Sequence, residues 1–345
     1  MDTFFLEYRD PLFSVIIFFV FVFLITFISY WWGRYRANKD NKHLDKFLKQ
    51  FHSVPSSSEL KVLIKRGDLS EKSWLILAHA YSDNGEYEKS IEIYTELLKN
   101  KNTKEILFLL GTTYFKAGFL QRAKTVFLEI LKNNPRTPEA LQYLLLVYEQ
   151  MRDYEAACEI LMPLEELEQD TITQSSYLKT MIVLNDIKLS SQEKASKLIE
   201  IYNSTKSNTH LIFEYLFKVD AKKAWQNLDA TKSELLLDVL WLVDTKDLDL
   251  DIITKNTYLM ELYTARGDLN LAKKSEVFEF DILINLHSKS DATLSFEYVC
   301  DNCKQIAPFA FHRCSKCHTV DSSIIEISLI KDYYRNFSEE NNSFQ

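Results

Sequence analysis

Four of the five cysteines fall within eighteen residues, as two C-x2-C pairs, Cys300/Cys303 and Cys314/Cys317, with ten residues between them. An x2 spacing lets a tight turn aim two thiolates at one ion. Two such turns supply the four sulfurs of a tetrahedron, with Zn–S distances of about 2.3 Å. Iron accepts the same donors, so the spacing predicts one Fe or Zn ion and does not choose between them. A redox dithiol ordinarily uses one CxxC at a helix start that follows a strand. Two pairs this close fit a metal better. With four thiolates in place no position is left for water or substrate, which makes the site structural rather than catalytic. Structural zinc contributes roughly 10–16 kcal/mol of apparent binding free energy, enough to fold a segment with little core. His312 and His318 flank the second pair as substitute ligands, but four thiolates already complete the shell. Cys158 stands alone and is most simply a small core residue.

The segment FEYVCDNCKQIAPFAFHRCSKCHTV, residues 296–320, resembles the knuckles of rubredoxin and zinc-ribbon proteins. Those knuckles commonly carry Gly after the second cysteine, where φ is positive. Lys304 and His318 stand there in this chain, a departure that bears on turn geometry and metal preference.

The elements that must position this module are helical. Only 6 of the 345 residues are glycine, and neither GxGxxG nor GxxxxGK[ST] occurs, which argues against glycine-rich phosphate loops and against a turn-rich β sandwich. Residues 74–98 and 107–131 repeat one another at an offset of 33: Ala78 matches Gly111, Tyr81 matches Tyr114, Gly85 matches Gly118 and Tyr94 matches Phe127. A third unit begins near Pro138, with Tyr148, Tyr154 and Ala157 at the equivalent places. This pattern resembles the tetratricopeptide family, whose units are antiparallel helix pairs that must stack to bury their apolar faces. Degenerate hairpins are expected from 171 to about 250, and a late repeat near 253–288 that uses Tyr263, Gly267 and Ala272.

The first helix of such a repeat usually lines the inner curve of the superhelix. There the stripe Leu75, His79, Ser82, then Phe108, Thr112, Phe115, then Gln142, Leu146, Glu149 forms a mixed apolar and polar groove suited to a peptide or helix. The competing expectation is that part of this stripe packs on the C-terminal module. The Lys/Asn clamp of chaperone-tail-binding repeats is not visible.

Leu12 to Trp32 contains no charged residue. As a helix these residues span roughly 31 Å, close to the hydrocarbon core of a bilayer. Tyr30, Trp31 and Trp32 suit an interfacial belt. Arg34, Arg36, Lys39, Lys42, Lys46 and Lys49 follow, so the positive-inside rule places the bulk of the chain in the cytoplasm and the N-terminus outside. The reducing cytoplasm favours a metal over disulfides. The formal charge of −8 argues against nucleic acid as a main partner.

The expected organisation is a short external N-terminus (1–10), a transmembrane helix (11–32), a basic juxtamembrane segment and linker (33–58), helical repeats (59–290), the four-cysteine module (291–332) and a polar tail (333–345). The fold class is mostly α, with a small knuckle module at the C-terminal end. This order resembles the lipopolysaccharide assembly protein B family of the bacterial inner membrane. The resemblance implies a non-enzymatic adaptor that regulates lipopolysaccharide synthesis. Its partners would be an inner-membrane ATP-dependent protease and the lipid A pathway deacetylase, whose degradation it promotes. A general scaffold for another inner-membrane complex is the alternative, and a homo-oligomer stays open. No nucleophile–base motif points to an enzyme, although a triad assembled across the fold leaves no local trace.

Overall fold

The computed structural model describes residues 20–28, 30, 62–64, 70–169, 171–286 and 292–331. They divide into two units, 1–126 and 127–345. Residues 20–28 and 30 are helical with exposed side chains. The rest of the expected span at 11–32, together with 1–10, 33–58 and 333–345, lies outside the described residues. No helix among the described residues is long and apolar enough to cross a membrane.

In the first unit, α1 (Glu71–Asp83), α2 (Tyr87–Asn100) and α3 (Lys104–Lys116) run as successive hairpin arms. Ser70 caps α1 by accepting from the Ser73 amide at 3.2 Å, and Thr103 caps α3 by accepting from Ile106 at 3.4 Å. The turn after α1 works as its sequence requires. Gly85 takes φ +81°, and the next amide, Glu86, donates to the Tyr81 carbonyl at 2.8 Å. After α3, Gly118 takes φ +77° and Phe119 donates to Tyr114 at 2.8 Å. Left-handed backbone of this kind carries little penalty only for glycine. Trp74, Ala78, Ile93 and Tyr94 are buried between the arms.

In the chain that follows, α4 (Leu120–Asn133) leads to α5 (Pro138–Gln150), which opens on a proline whose missing N–H costs nothing at a helix start. The next arm is broken into α6 (Tyr154–Glu159) and α7 (Leu161–Glu166). The break has a cause in the sequence: the Pro163 ring opposes the carbonyl of Glu159. Further hairpins are built from α8 (Ile172–Asn185), α9 (Ser191–Thr205), α10 (Thr209–Val219) and α11 (Ala221–Asn227). A 3-10 turn (Ala230–Leu236) precedes α12 (Leu237–Leu242), α13 (Leu250–Ile253), α14 (Thr257–Arg266) and α15 (Phe278–Asn285). Tyr202, Phe213, Trp225, Tyr263 and Phe280 fill the core of this unit.

The late repeat departs from its expectation. Tyr263 and Gly267 make the hairpin turn, with Gly267 at φ +96° and Asp268 donating to the Tyr263 carbonyl at 3.1 Å. Ala272, however, lies in an irregular stretch, and the second helix starts only at Phe278. Side chains satisfy that stretch in place of a helix. Thr264 Oγ1 accepts from the amides of Leu271 and Ala272 at 3.2 Å each, and Asp281 accepts from the Ser275 amide at 3.1 Å.

Three antiparallel strands close the described chain: β1 (Ala292–Cys300), β2 (Ile306–Ala307) and β3 (Ser323–Lys331), in the order β2-β1-β3. β1 is central, pairing Tyr298 with Ala307 on one side and Cys300 with Ser323 on the other.

Candidate metal centre

Cys300 is the last residue of β1, so the sheet delivers the first thiol. The chain then turns sharply. The Lys304 amide donates to the Cys300 carbonyl at 2.8 Å, and the Cys300 amide donates to Gln305 at 2.9 Å. The second pair repeats the geometry, with His318 donating to Cys314 and Cys314 to Thr319, both at 2.9 Å. Lys304 and His318 adopt the left-handed φ of +56° and +61° where a glycine would be easier. The departure in sequence therefore leaves the knuckle shape intact, at about 1–2 kcal/mol for each position.

The two turns bring all four sulfurs within 4.8 Å of one another. Cys300 Sγ lies 3.6 Å from Cys317 Sγ, and Cys303 Sγ lies 3.5 Å from Cys314 Sγ. A thiolate tetrahedron with about 2.3 Å bonds has edges of about 3.8 Å. The donor set fits one Zn or Fe ion. Cys300 and Cys314 are buried, while Cys303 and Cys317 are half-buried.

Burial raises the Cys317 thiol, but contacts from Thr319, Asn302 and Cys300 outweigh it and bring the pKa down to about 6. Burial likewise opposes ionisation of Cys300, and the Ser322 hydroxyl at 3.4 Å with nearby amides holds it below its ordinary value. For Cys303 the Gln305 amide favours the thiolate. Burial and the neighbouring sulfurs prevail and push the pKa up to about 11. A bound dication deprotonates coordinating thiols outright.

The module is tied to the helices beside it by polar side chains. Arg313, next to Cys314, donates through Nε to Glu149 Oε1 on α5 at 2.9 Å, and its Nη2 lies 2.5 Å from Glu149 Oε2. Both side chains are nearly buried. The same guanidinium donates to the His318 carbonyl at 2.6 Å and stands 5.1 Å from the Tyr177 ring centroid on α8. Tyr177 in turn donates to Glu149 at 3.0 Å. Asp321 accepts from the Asn208 amide at 2.7 Å, and Tyr298 donates to Asp238 at 2.8 Å. The His318 ring meets Tyr143 edge-on at 6.1 Å. Between α5 and the second knuckle lies a cleft of about 420 Å³, lined by Gln142, Leu146, Arg313 and His318 among others.

Sequence reasoning singled out the four cysteines, which the fold brings together. It did not find Arg313, Asp321, Asp238 or Tyr298, whose partners are remote in the chain. Glu149 belonged to the expected groove stripe, and its partner is the cysteine module. Of the other groove residues, His79 is exposed and pairs with Asp83 at 2.8 Å. Leu75, Phe108 and Thr112 are half-buried, and Phe115 and Leu146 are buried.

Residues 71–103 match the family model described as Tetratricopeptide repeat. Regulatory protein RapD of Bacillus subtilis is 26% identical over 175 residues, 47% of this chain and 45% of its own length. Anaphase-promoting complex subunit 3 of Schizosaccharomyces pombe is 24% identical over 202 residues, 54% of this chain and 30% of its own. The chain thus spans less than half the length of either curated relative. Among solved structures, MamA from Desulfovibrio magneticus RS-1 is similar at 19% identity, covering 45% of this chain and 89% of that one with a TM-score of 0.36. A tetratricopeptide repeat protein from Parabacteroides merdae is similar at 15% identity, covering 71% and 95% with a TM-score of 0.37. Residues 71–103 thus carry one tetratricopeptide repeat, within a mostly helical chain. To this the chain adds a cluster of four cysteines able to hold one metal ion.

Proposed function

We propose that this chain is a membrane-anchored adaptor of the bacterial inner membrane, single-pass, with its N-terminus outside and its bulk in the cytoplasm. Its repeats hold a client protein and its four-thiolate module, of rubredoxin or zinc-ribbon type, is part of the same working surface. The observation that carries this reading is the Arg313–Glu149 pair, which joins the cysteine module to a repeat helix so that the two act as one body. The resemblance noted above supplies the process: regulation of lipopolysaccharide synthesis, by promoting degradation of the lipid A pathway deacetylase by an inner-membrane ATP-dependent protease. The chain acts as a scaffold there and not as the catalyst. The apolar run at 12–32 supports the anchor, which raises effective concentration at the membrane rather than supplying chemistry.

A second reading, a scaffold for another inner-membrane complex, is favoured by the curated relatives, which by name are a regulatory protein and a complex subunit. Affinity capture from detergent-solubilised membranes separates the two. Recovery of the protease and the deacetylase supports the first, and recovery of a different, reproducible set supports the second.

A further inference from the structure

A second cluster of metal-binding side chains lies apart from the cysteines. His210 and Glu214 stand four residues apart on α10 and so share one face of the helix. His312 reaches them from the loop ahead of the second knuckle. One donor atom from each of the three falls within 4.8 Å of the other two. Glu214 Oε2 is the hub, 3.6 Å from His312 Nε2 and 3.9 Å from His210 Nδ1. With metal–nitrogen and metal–oxygen bonds of about 2.0–2.2 Å, tetrahedral neighbours stand about 3.4 Å apart. The two edges that meet at Glu214 are thus within about 0.5 Å of that spacing.

We propose that His210, Glu214 and His312 bind a second divalent first-row cation, zinc or its like, with water in the fourth position.

The surroundings of the three residues are those of a metal site. The Nε2 of His210 lies 2.9 Å from both carboxylate oxygens of Asp238. A carboxylate only accepts, so this contact uses a proton on Nε2, and Nδ1 is left as the nitrogen facing Glu214. A carboxylate behind a ligating imidazole is the usual outer partner of such sites. Asp238 is itself fixed by the Tyr298 hydroxyl at 2.8 Å. Glu214 is held in the same way: Lys218 donates to Oε1 at 2.7 Å and leaves Oε2 for the cluster. His210 and His312 also line a recess of about 50 Å³. A water occupies about 30 Å³ of liquid volume, so the recess has room for one. The site joins α10 to the cysteine module by a route independent of Arg313, and it does not depend on the cellular role proposed above.

The test is metal stoichiometry in the full chain, purified in detergent and dialysed against excess zinc. Two ions per chain are expected. Glu214→Gln and His312→Gln should each retain one ion, the thiolate-bound one, with unchanged far-ultraviolet circular dichroism. Asp238→Asn, a positioning change, should weaken the second ion roughly 10–100-fold and leave the first untouched. In cobalt-loaded protein the second equivalent should add visible absorption without sulfur-to-metal charge transfer. If His312→Gln unfolds, the isosteric Glu214→Gln decides alone. One ion in the unaltered chain, or two tight ions in Glu214→Gln, would overturn the proposal.

Discussion

In the repeat hairpins Trp74, Ala78, Ile93 and Tyr94 are almost sealed from solvent, where α1 packs along α2. Between Ala292 and Lys331 the buried apolar side chains are few: Leu294, Tyr298, Val299, Cys300, Cys314 and Val320. The two regions therefore hold their shape by different means. A hairpin of helices is fixed by hydrophobic burial spread over many contacts, each worth little by itself. The knuckles of the cysteine module are fixed by a few strong interactions, namely four sulfurs, the Arg313–Glu149 pair and the Asp321 contact, while its sheet is held by the β1–β3 ladder and by Leu294, Phe296, Ile325 and Ile327 against the helical core. The first kind of region should yield gradually to single substitutions. The second should fail abruptly when one of its few fixtures is removed.

The largest effect is expected from the sulfurs. Cys300→Ser with Cys303→Ser should abolish metal at this site and unfold both knuckles, because roughly 10–16 kcal/mol of apparent metal-binding free energy goes with the ion. The helices should keep most of their ellipticity. Elemental analysis and amide hydrogen exchange across 292–331 read the two parts. Loss of helical protection throughout 71–116 would show that the contrast between the regions is false.

Arg313→Ala comes next. It leaves Glu149 charged and nearly buried without its partner, a change that typically costs about 3–5 kcal/mol. Chemical denaturation should show that loss, and the cleft beside His318 should open to proteolysis. Replacing both Arg313 and Glu149 by apolar residues of similar size should recover part of it, since the pair positions more than it stabilises.

A turn substitution in the repeats should be milder. At Gly118, φ +77°, an added Cβ meets nothing within 4 Å, so Gly118→Ala carries only backbone strain of about 1–2 kcal/mol. A thermal melt that falls by more than Arg313→Ala produces would reverse the ranking.

The smallest effect is expected at Asp321. Burial is the chief influence on it and raises its pKa above 3.8. The sign follows: this carboxyl favours the fold below pH 3.8, and that contribution is lost as pH rises through its folded value. An asparagine side chain at this position would still accept from the Asn208 amide, and asparagine tolerates the left-handed φ of +54° found there. Asp321→Asn should therefore shift stability at neutral pH by less than about 1 kcal/mol, with a flatter pH profile. A large destabilisation would mean that the charge itself holds the module.

The same division explains what the sequence revealed. The spacing of tyrosine and turn residue, Tyr81 with Gly85, Tyr114 with Gly118 and Tyr263 with Gly267, is local, and it located three hairpin turns. The x2 cysteine spacing is local too, and it located the sulfurs. Arg152 makes the same turn at φ +59° without a glycine, with Asp153 donating to Tyr148 at 2.9 Å. Nothing in its type announces that. The irregular stretch around Ala272 rests on Thr264, Glu261 and Asp281, side chains that hydrogen-bond in place of a helix. Arg313 and Glu149 are 164 residues apart, and His210 and His312 are about 100 apart. Periodicity over a few turns carries no signal for pairs so distant. A charged residue beside a metal knuckle, with no opposite charge nearby in sequence, was the one available hint.

The central claim is that Cys300, Cys303, Cys314 and Cys317 enclose one metal ion. X-ray absorption at the metal edge, on full chain carrying one equivalent of zinc, tests it most directly. The account predicts a single shell of four sulfurs at about 2.3 Å. A shell of mixed sulfur and nitrogen or oxygen, or an ion lost without any change in the cysteine thiols, would contradict it.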